Sequence, residues 1–237
     1  EHQNDFIKSG DFQCDKYILK GGNAETWEPR FTYHGFQWIQ LGYDTGKVKI
    51  LKVEARETGN AFPEAGELKT SSNMVNKLWN CTKNSYRSNF VGIPTDCPHR
   101  EKNGWTGDAQ LAAETGLFAF DSAKSYGEWL ETMRDLQRPS GEFPGIVPSS
   151  GWGYNWGNGP VWDSVIFVIP YQAYLFTGDD SLIRENYEAM KKYLEFVRMM
   201  SVDHIVQWGL GDWCPPEGVK TPRAEFCSTC YYYSNAK

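Results

Sequence analysis

The stretch Ile93-Pro94-Thr95-Asp96-Cys97-Pro98-His99-Arg100-Glu101-Lys102-Asn103-Gly104-Trp105-Thr106-Gly107-Asp108 gathers the groups best suited to acid–base chemistry. Asp96, Glu101 and Asp108 put three carboxylates within thirteen residues. Pro94, Pro98, Gly104 and Gly107 predict that most of the stretch is loop, and such a loop can turn several side chains toward one point. Trp105 offers an apolar plate of the kind that meets the C–H face of a sugar ring. Arg100 offers a fork of donors, either for hydroxyls or to hold a neighbouring carboxylate in its charged form.

Glycoside hydrolysis requires such a set. One carboxylic acid donates a proton to the leaving oxygen, and another carboxylate activates water or attacks the anomeric carbon. Further ionised carboxylates accept hydrogen bonds from sugar hydroxyls. Crowding like charges raises the pKa of one member, as a general acid at neutral pH needs. The same residues also fit a plainer arrangement of solvated loop acids, with Arg100 paired to one of them. Residue types alone do not separate the two.

Composition narrows the partners. The 237 residues carry a net charge of −6, which weighs against a nucleic-acid binder with its basic face. No run of about eighteen apolar residues is present, so no membrane insertion is expected. Ten Trp, 13 Tyr and 13 Phe suit flat, neutral ligands such as sugars. The six cysteines are scattered, and Cys227-x-x-Cys230 lacks the second close pair that a zinc site wants. No metal and no cofactor are expected. Residues 1–12 show no apolar signal segment.

The elements that must position the loop change character near residue 66. Residues 31–43 are rich in aromatic and β-branched types, and residues 47–55 alternate, with a phase slip at Ile50-Leu51 that a β-bulge would reconcile. Asp44-Thr45-Gly46 predicts the turn between them. From Ser71 the period is helical: Val75, Leu78, Trp79, Thr82 and Tyr86 share one face. A second, more uniformly apolar helix is predicted over 109–120. Tyr126, Trp129, Leu130, Met133 and Leu136 mark a third, with Asp121 or Ser122 as N-cap. A fourth runs over 161–176, kinked at Pro170 and stopped by Gly178, and a fifth over 181–200. Residues 231–237 read as the start of a sixth. Long loops rich in Gly, Pro and Trp lie between them at 92–107, 138–160 and 207–224, where functional groups tend to sit.

The run Asp96 to Gln110 resembles the signature of bacterial α-L-rhamnosidases of glycoside hydrolase family 78. Trp27-Glu28-Pro29-Arg30-Phe31-Thr32-Tyr33-His34-Gly35-Phe36 is similar to the segment those enzymes carry in the β-sandwich before the barrel, and Arg87-Ser88-Asn89-Phe90 and Gly211-Asp212-Trp213 also look familial. The resemblance implies a mainly α chain: an incomplete (α/α)6 helical barrel preceded by part of an antiparallel β-sandwich. It divides the chain into residues 1–65, the end of the sandwich, and residues 66–237, the first half of the catalytic barrel.

The resemblance further implies hydrolysis of terminal α-L-rhamnose with inversion, acting on a rhamnose-containing saccharide or glycoside. Glu101 falls where the family has its general acid. Asp96, Arg100, Trp105 and Asp108 fall where it contacts the sugar. Trp162, Asp163, Asp212 and Trp213 lie on later loops or loop–helix junctions expected to face the same mouth, though Trp162 also fits barrel core. His99 stands where many relatives have Gln. The family's general base is a Glu on a much later loop, expected outside these 237 residues, so both ends are read as cut ends of a longer protein and the chain alone as inactive. A homodimer of the full-length protein and a periplasmic or extracellular location are further expectations. The alternatives are another (α/α)6 glycosidase or a carbohydrate-binding relative without catalysis.

Overall fold

A computed structural model describes residues 13–149 and 151–237. Seven helices carry the described residues: α1 (Asn73–Ser88), α2 (Thr106–Ala119), α3 (Ala123–Asp135), α4 (Pro160–Asp163), α5 (Val165–Thr177), α6 (Ser181–Met200) and α7 (Ala224–Ala236). A two-residue hairpin, β1 (Phe90–Val91) against β2 (Ile93–Pro94), stands between α1 and α2. No helix among the described residues is long and apolar enough to cross a membrane. Residues 1–12, read above for a signal segment, lie outside the described residues.

The helical periods translate into packing. Ser72 caps α1 with its hydroxyl toward Val75 N. Tyr86, on the same face as Trp79, sinks into the core and hydrogen-bonds Tyr126 of α3 at 3.1 Å. Gly116 of α2 makes room for that ring, since a Cβ there would stand 2.3 Å from it. Phe62, Tyr86, Phe90, Phe120 and Tyr126 form one aromatic cluster, with Tyr86 stacked on Phe120 at 5.6 Å. Each such ring contributes about 1.5–3 kcal/mol on leaving water. Trp129, Leu130 and Met133 of α3, Ile166 and Ile169 of α5, and Tyr193 and Val197 of α6 extend the core. Helix α5 packs against both α2 and α6, and α7 closes on α4 and α6. Gly178, at φ 74, ends α5 in the left-handed conformation that glycine tolerates.

The β expectation is corrected. The expected strands at 31–43 and 47–55 do not form, and among the described residues no strand precedes Phe90. The turn does form: Lys47 N and Val48 N donate to Asp44 O, and Gly46 N to Asp44 Oδ1. Ile50, Leu51 and Val53 stay exposed, so nothing apolar covers one face of a would-be hairpin. Two strands without such a cover are marginal at best. A bulge at Ile50-Leu51 therefore has no ladder to sit in.

The expected fourth helix is interrupted at Ser164 into α4 and α5. There the Ser164 hydroxyl bonds back to Pro160 O, and the Gln110 amide reaches across from α2 to Val161 O at 2.6 Å. Helix α7 begins at Ala224, ahead of the expected 231, because Ser228 and Thr229 are pinned by Trp208 O and Val206 N.

Candidate active site

The loop between β2 and α2 is closed on itself. Asp96 N donates to Asn103 O at 3.0 Å, and Asn103 N donates to Asp96 Oδ1 at 2.9 Å. Inside the ring lies the buried Cys97 thiol, which donates to Asp96 Oδ2 at 2.7 Å and accepts from Glu101 N at 3.2 Å. Asp96 therefore shapes the loop with both carboxyl oxygens. Each oxygen keeps a second lone pair for a ligand hydroxyl.

Glu101 is half-buried, and its Oε2 accepts the Trp105 indole N–H at 3.0 Å. Among the described residues its Oε1 takes no hydrogen bond. Trp105 is itself held by a clasp with the loop before α4. Gly104 O accepts from Val147 N at 2.8 Å, Thr106 N donates to Gly145 O at 2.9 Å, and Trp105 bridges to Ile146. Gly104 is pressed so close to Val147 O that a Cβ would stand 1.9 Å from it. The clasp brings Trp152 and Trp156 to Trp105, with ring centroids 6.5 and 6.3 Å away and 6.2 Å from each other. The indole that holds the Glu101 carboxyl thus belongs to a cluster of three.

Asp108 lies in the first turn of α2 with its side chain open to solvent on one side. Burial of its inner side, then the negative charges of Asp96 and Glu101, push its carboxyl up to about 6. The three acids of the loop thus feel one another, as expected from their spacing. Arg100 is exposed and, among the described residues, pairs with no carboxylate. The arrangement of solvated acids quenched by Arg100 is not the one adopted.

The later candidates occupy different surroundings. Trp162 is buried against Gly107, whose Cβ would stand 2.7 Å from the indole nitrogen. Asp163 is 1% exposed and faces the core, accepting from Tyr193 OH at 2.8 Å and from the Asn158 amide. Burial raises its carboxyl well above the usual carboxylate range. Asp212 is half-buried and Trp213 is 78% exposed. Two features had no sequence signal: the Cys97 thiol as the hub of the loop, and the clasp at Gly104. Trp152 and Trp156 fall in the long 138–160 loop, where the sequence leads one to expect part of a sugar platform.

Among the described residues no three His, Cys, Asp or Glu side chains are placed to hold a metal ion. All six cysteines are free, with Cys227 and Cys230 on α7. The chemistry on offer is proton transfer by a carboxyl beside aromatic plates.

Residues 63–237 match the model of the bacterial α-L-rhamnosidase six-hairpin glycosidase domain, and residues 5–57 that of the bacterial α-L-rhamnosidase concanavalin-like domain. An α-L-rhamnosidase of Formosa agariphila is 32% identical over 95% of this chain and 25% of its own length. One of Streptomyces avermitilis is 33% identical over 94% of this chain and 21% of its own. Among solved structures, the α-L-rhamnosidase of Dictyoglumus thermophilum superposes with TM-score 0.69 and 35% identity, covering 75% of this chain and 20% of that one. The Streptomyces avermitilis α-L-rhamnosidase complexed with L-rhamnose gives 0.70 and 27%, covering 75% and 17%. The chain spans about a quarter of the length of the curated relatives it matches.

Proposed function

This chain belongs to the bacterial α-L-rhamnosidase six-hairpin glycosidase family, and on that premise we propose that it forms part of an enzyme releasing terminal α-L-rhamnose from glycans or glycosides with inversion. The match of residues 5–57 to the concanavalin-like domain model supports assigning residues 1–65 to the end of a β-sandwich domain, although the described part forms no ladder by itself, and residues 66–237 to the first half of the catalytic barrel. Glu101 is the general acid. The observation that carries this role is the Trp105–Glu101 hydrogen bond, which fixes one carboxyl oxygen and leaves the other open toward the leaving oxygen.

Asp108, Asp96 and Arg100 bind rhamnose hydroxyls, and Trp105 packs on the C–H face of the ring. A bound rhamnose in the Streptomyces avermitilis relative supports that sugar as the ligand. Trp162, Asp212 and Trp213 line the mouth less directly, and Asp163 supports it from within the core. An inverting enzyme holds its two carboxyls about 6.5–9.5 Å apart, with water between the base and the anomeric carbon. The base is a Glu on a much later loop than the acid motif. The setting is the periplasm or the outside of the cell, where rhamnosides are scavenged.

The test is a panel of nitrophenyl glycosides offered to the full-length protein, with the product anomer read by NMR. Preferential cleavage of the α-L-rhamnoside with inversion is expected. Preference for a glucuronide or glucoside, a retained anomer, or rhamnose binding by calorimetry without turnover overturns the reading.

A further inference from the structure

The motif Tyr33-His34-Gly35 lies far from the acid loop in sequence, within the part that matches the concanavalin-like domain model. In space it touches that loop on both sides of Glu101. Lys102, the next residue, sends its ammonium to Tyr33 O at 2.5 Å and sets it 4.7 Å from the centre of the Tyr33 ring. His99, two residues earlier, backs onto Gly35. A Cβ at Gly35 would stand 2.8 Å from His99 Cβ and 3.1 Å from its Cα and N, so only glycine admits this approach.

Two further facts bear on the contact. Lys102 has φ 54, a left-handed conformation that costs a non-glycine residue free energy and persists where the surroundings over-determine it. Tyr33 supplies that constraint at the peptide following Glu101. The segment is anchored in turn by His34 Nε2, 2.7 Å from Asp15 Oδ2. Burial also lowers the Lys102 ammonium, as expected of a charge taken from water to hold a carbonyl.

We propose that Tyr33-His34-Gly35 is a positioning element for Glu101, gripping the acid loop at residues 99 and 102 and setting where the carboxyl points. The proposal rests on the reading of Glu101 as general acid. None of the three residues need touch the sugar. They act through the backbone of the loop, and a misplacement of the acid by about 1 Å costs on the order of a hundredfold in rate. The acid would then depend on a segment outside the helical barrel.

The experiment uses the full-length protein and two substrates, a nitrophenyl α-L-rhamnoside and an alkyl α-L-rhamnoside whose poor leaving group needs the acid. Gly35→Ala should lower kcat/KM on the alkyl rhamnoside by on the order of tenfold to a hundredfold, and far less on the nitrophenyl one. Adding His99→Gly removes the clashing Cβ and should restore most of that loss. Lys102→Met adds no bulk and should show the same selectivity, which keeps the test intact if Gly35→Ala does not fold. Equal losses on both substrates, no loss, or no rescue in the double variant overturns the proposal. Glu101→Gln, run in parallel, separates the two claims. If it is itself unselective, the proposal falls at its premise; if it is selective and the Gly35 and Lys102 variants are not, the positioning role alone falls.

Discussion

The indole N–H of Trp105 meets Oε2 of Glu101 at 3.0 Å, tying the N-cap of α2 to the loop residue four positions earlier. The bond spans the end of the loop and holds the carboxyl against rotation. Trp105→Phe keeps an aromatic plate and removes the donor. A hydrogen bond to a charged group is worth about 1.5–3 kcal/mol, so kcat/KM on alkyl rhamnosides should fall on the order of ten- to a hundredfold. Because the plate survives, KM should change little. Steady-state kinetics of the full-length variant check this, and a loss confined to KM contradicts it.

The clasp at Gly104 makes a second prediction. A methyl group there meets Val147 O, a backbone atom that cannot swing aside. Gly104→Ala should therefore cost about 1–3 kcal/mol of stability and loosen the Trp105–Ile146 bridge. Thermal melting reads the first effect, and Trp fluorescence of the Trp105, Trp152 and Trp156 cluster the second. A variant with unchanged melting refutes the close approach.

Asp108 predicts a pH dependence with a definite sign. Its carboxyl titrates near 3.8 when free and is pushed up to about 6 in the fold. The folded state thus binds the proton more tightly. This contribution to stability is complete below the free value and is lost as pH rises through about 6. Asp108→Asn should remove it, so its melting temperature should gain on the parent between about pH 4 and about pH 7. The gain should be small, because the side chain is partly open to solvent. Parallel melting curves across that range contradict the assignment.

Asp163 is expected to matter for folding more than for sugar binding. Asp163→Ala leaves the Tyr193 hydroxyl buried without an acceptor and leaves the Asn158 amide only its long bond to Phe143 O at 3.4 Å. An orphaned group costs about 1–3 kcal/mol. Melting should fall steeply, while the folded fraction keeps its ratio of rates on alkyl and nitrophenyl rhamnosides. A changed ratio at unchanged stability would place Asp163 at the substrate instead.

The helices were the legible part, because a 3.6-residue period is written locally. Residues 181–200 and the buried face of α3 follow the pattern directly. What the pattern misses is set by distant residues. The break at Ser164 depends on Gln110, 51 positions from Val161. Helix α2 begins at Thr106, ahead of the expected 109, since Gly107 reads as a breaker but serves to admit the Trp162 ring. Strand propensity in residues 31–55 finds no ladder, for a strand exists only beside another. In the site, residue type and spacing marked Asp96, Glu101, Trp105 and Asp108 as candidates, and only the family resemblance singled out Glu101 as the acid. The Cys97 hub and the Tyr33–Lys102 contact were not legible, because neither a thiol nor a lysine in a loop announces its partner.

The central claim is that Glu101 delivers the proton to the leaving oxygen. Its most direct test is the ratio of kcat/KM for an alkyl α-L-rhamnoside to that for a nitrophenyl α-L-rhamnoside in full-length Glu101→Gln. General acid catalysis contributes on the order of 10²–10⁴-fold where the leaving group is poor. The ratio should drop by that order, with the nitrophenyl rate far less affected. An unchanged ratio, whatever the absolute rates, would contradict the account.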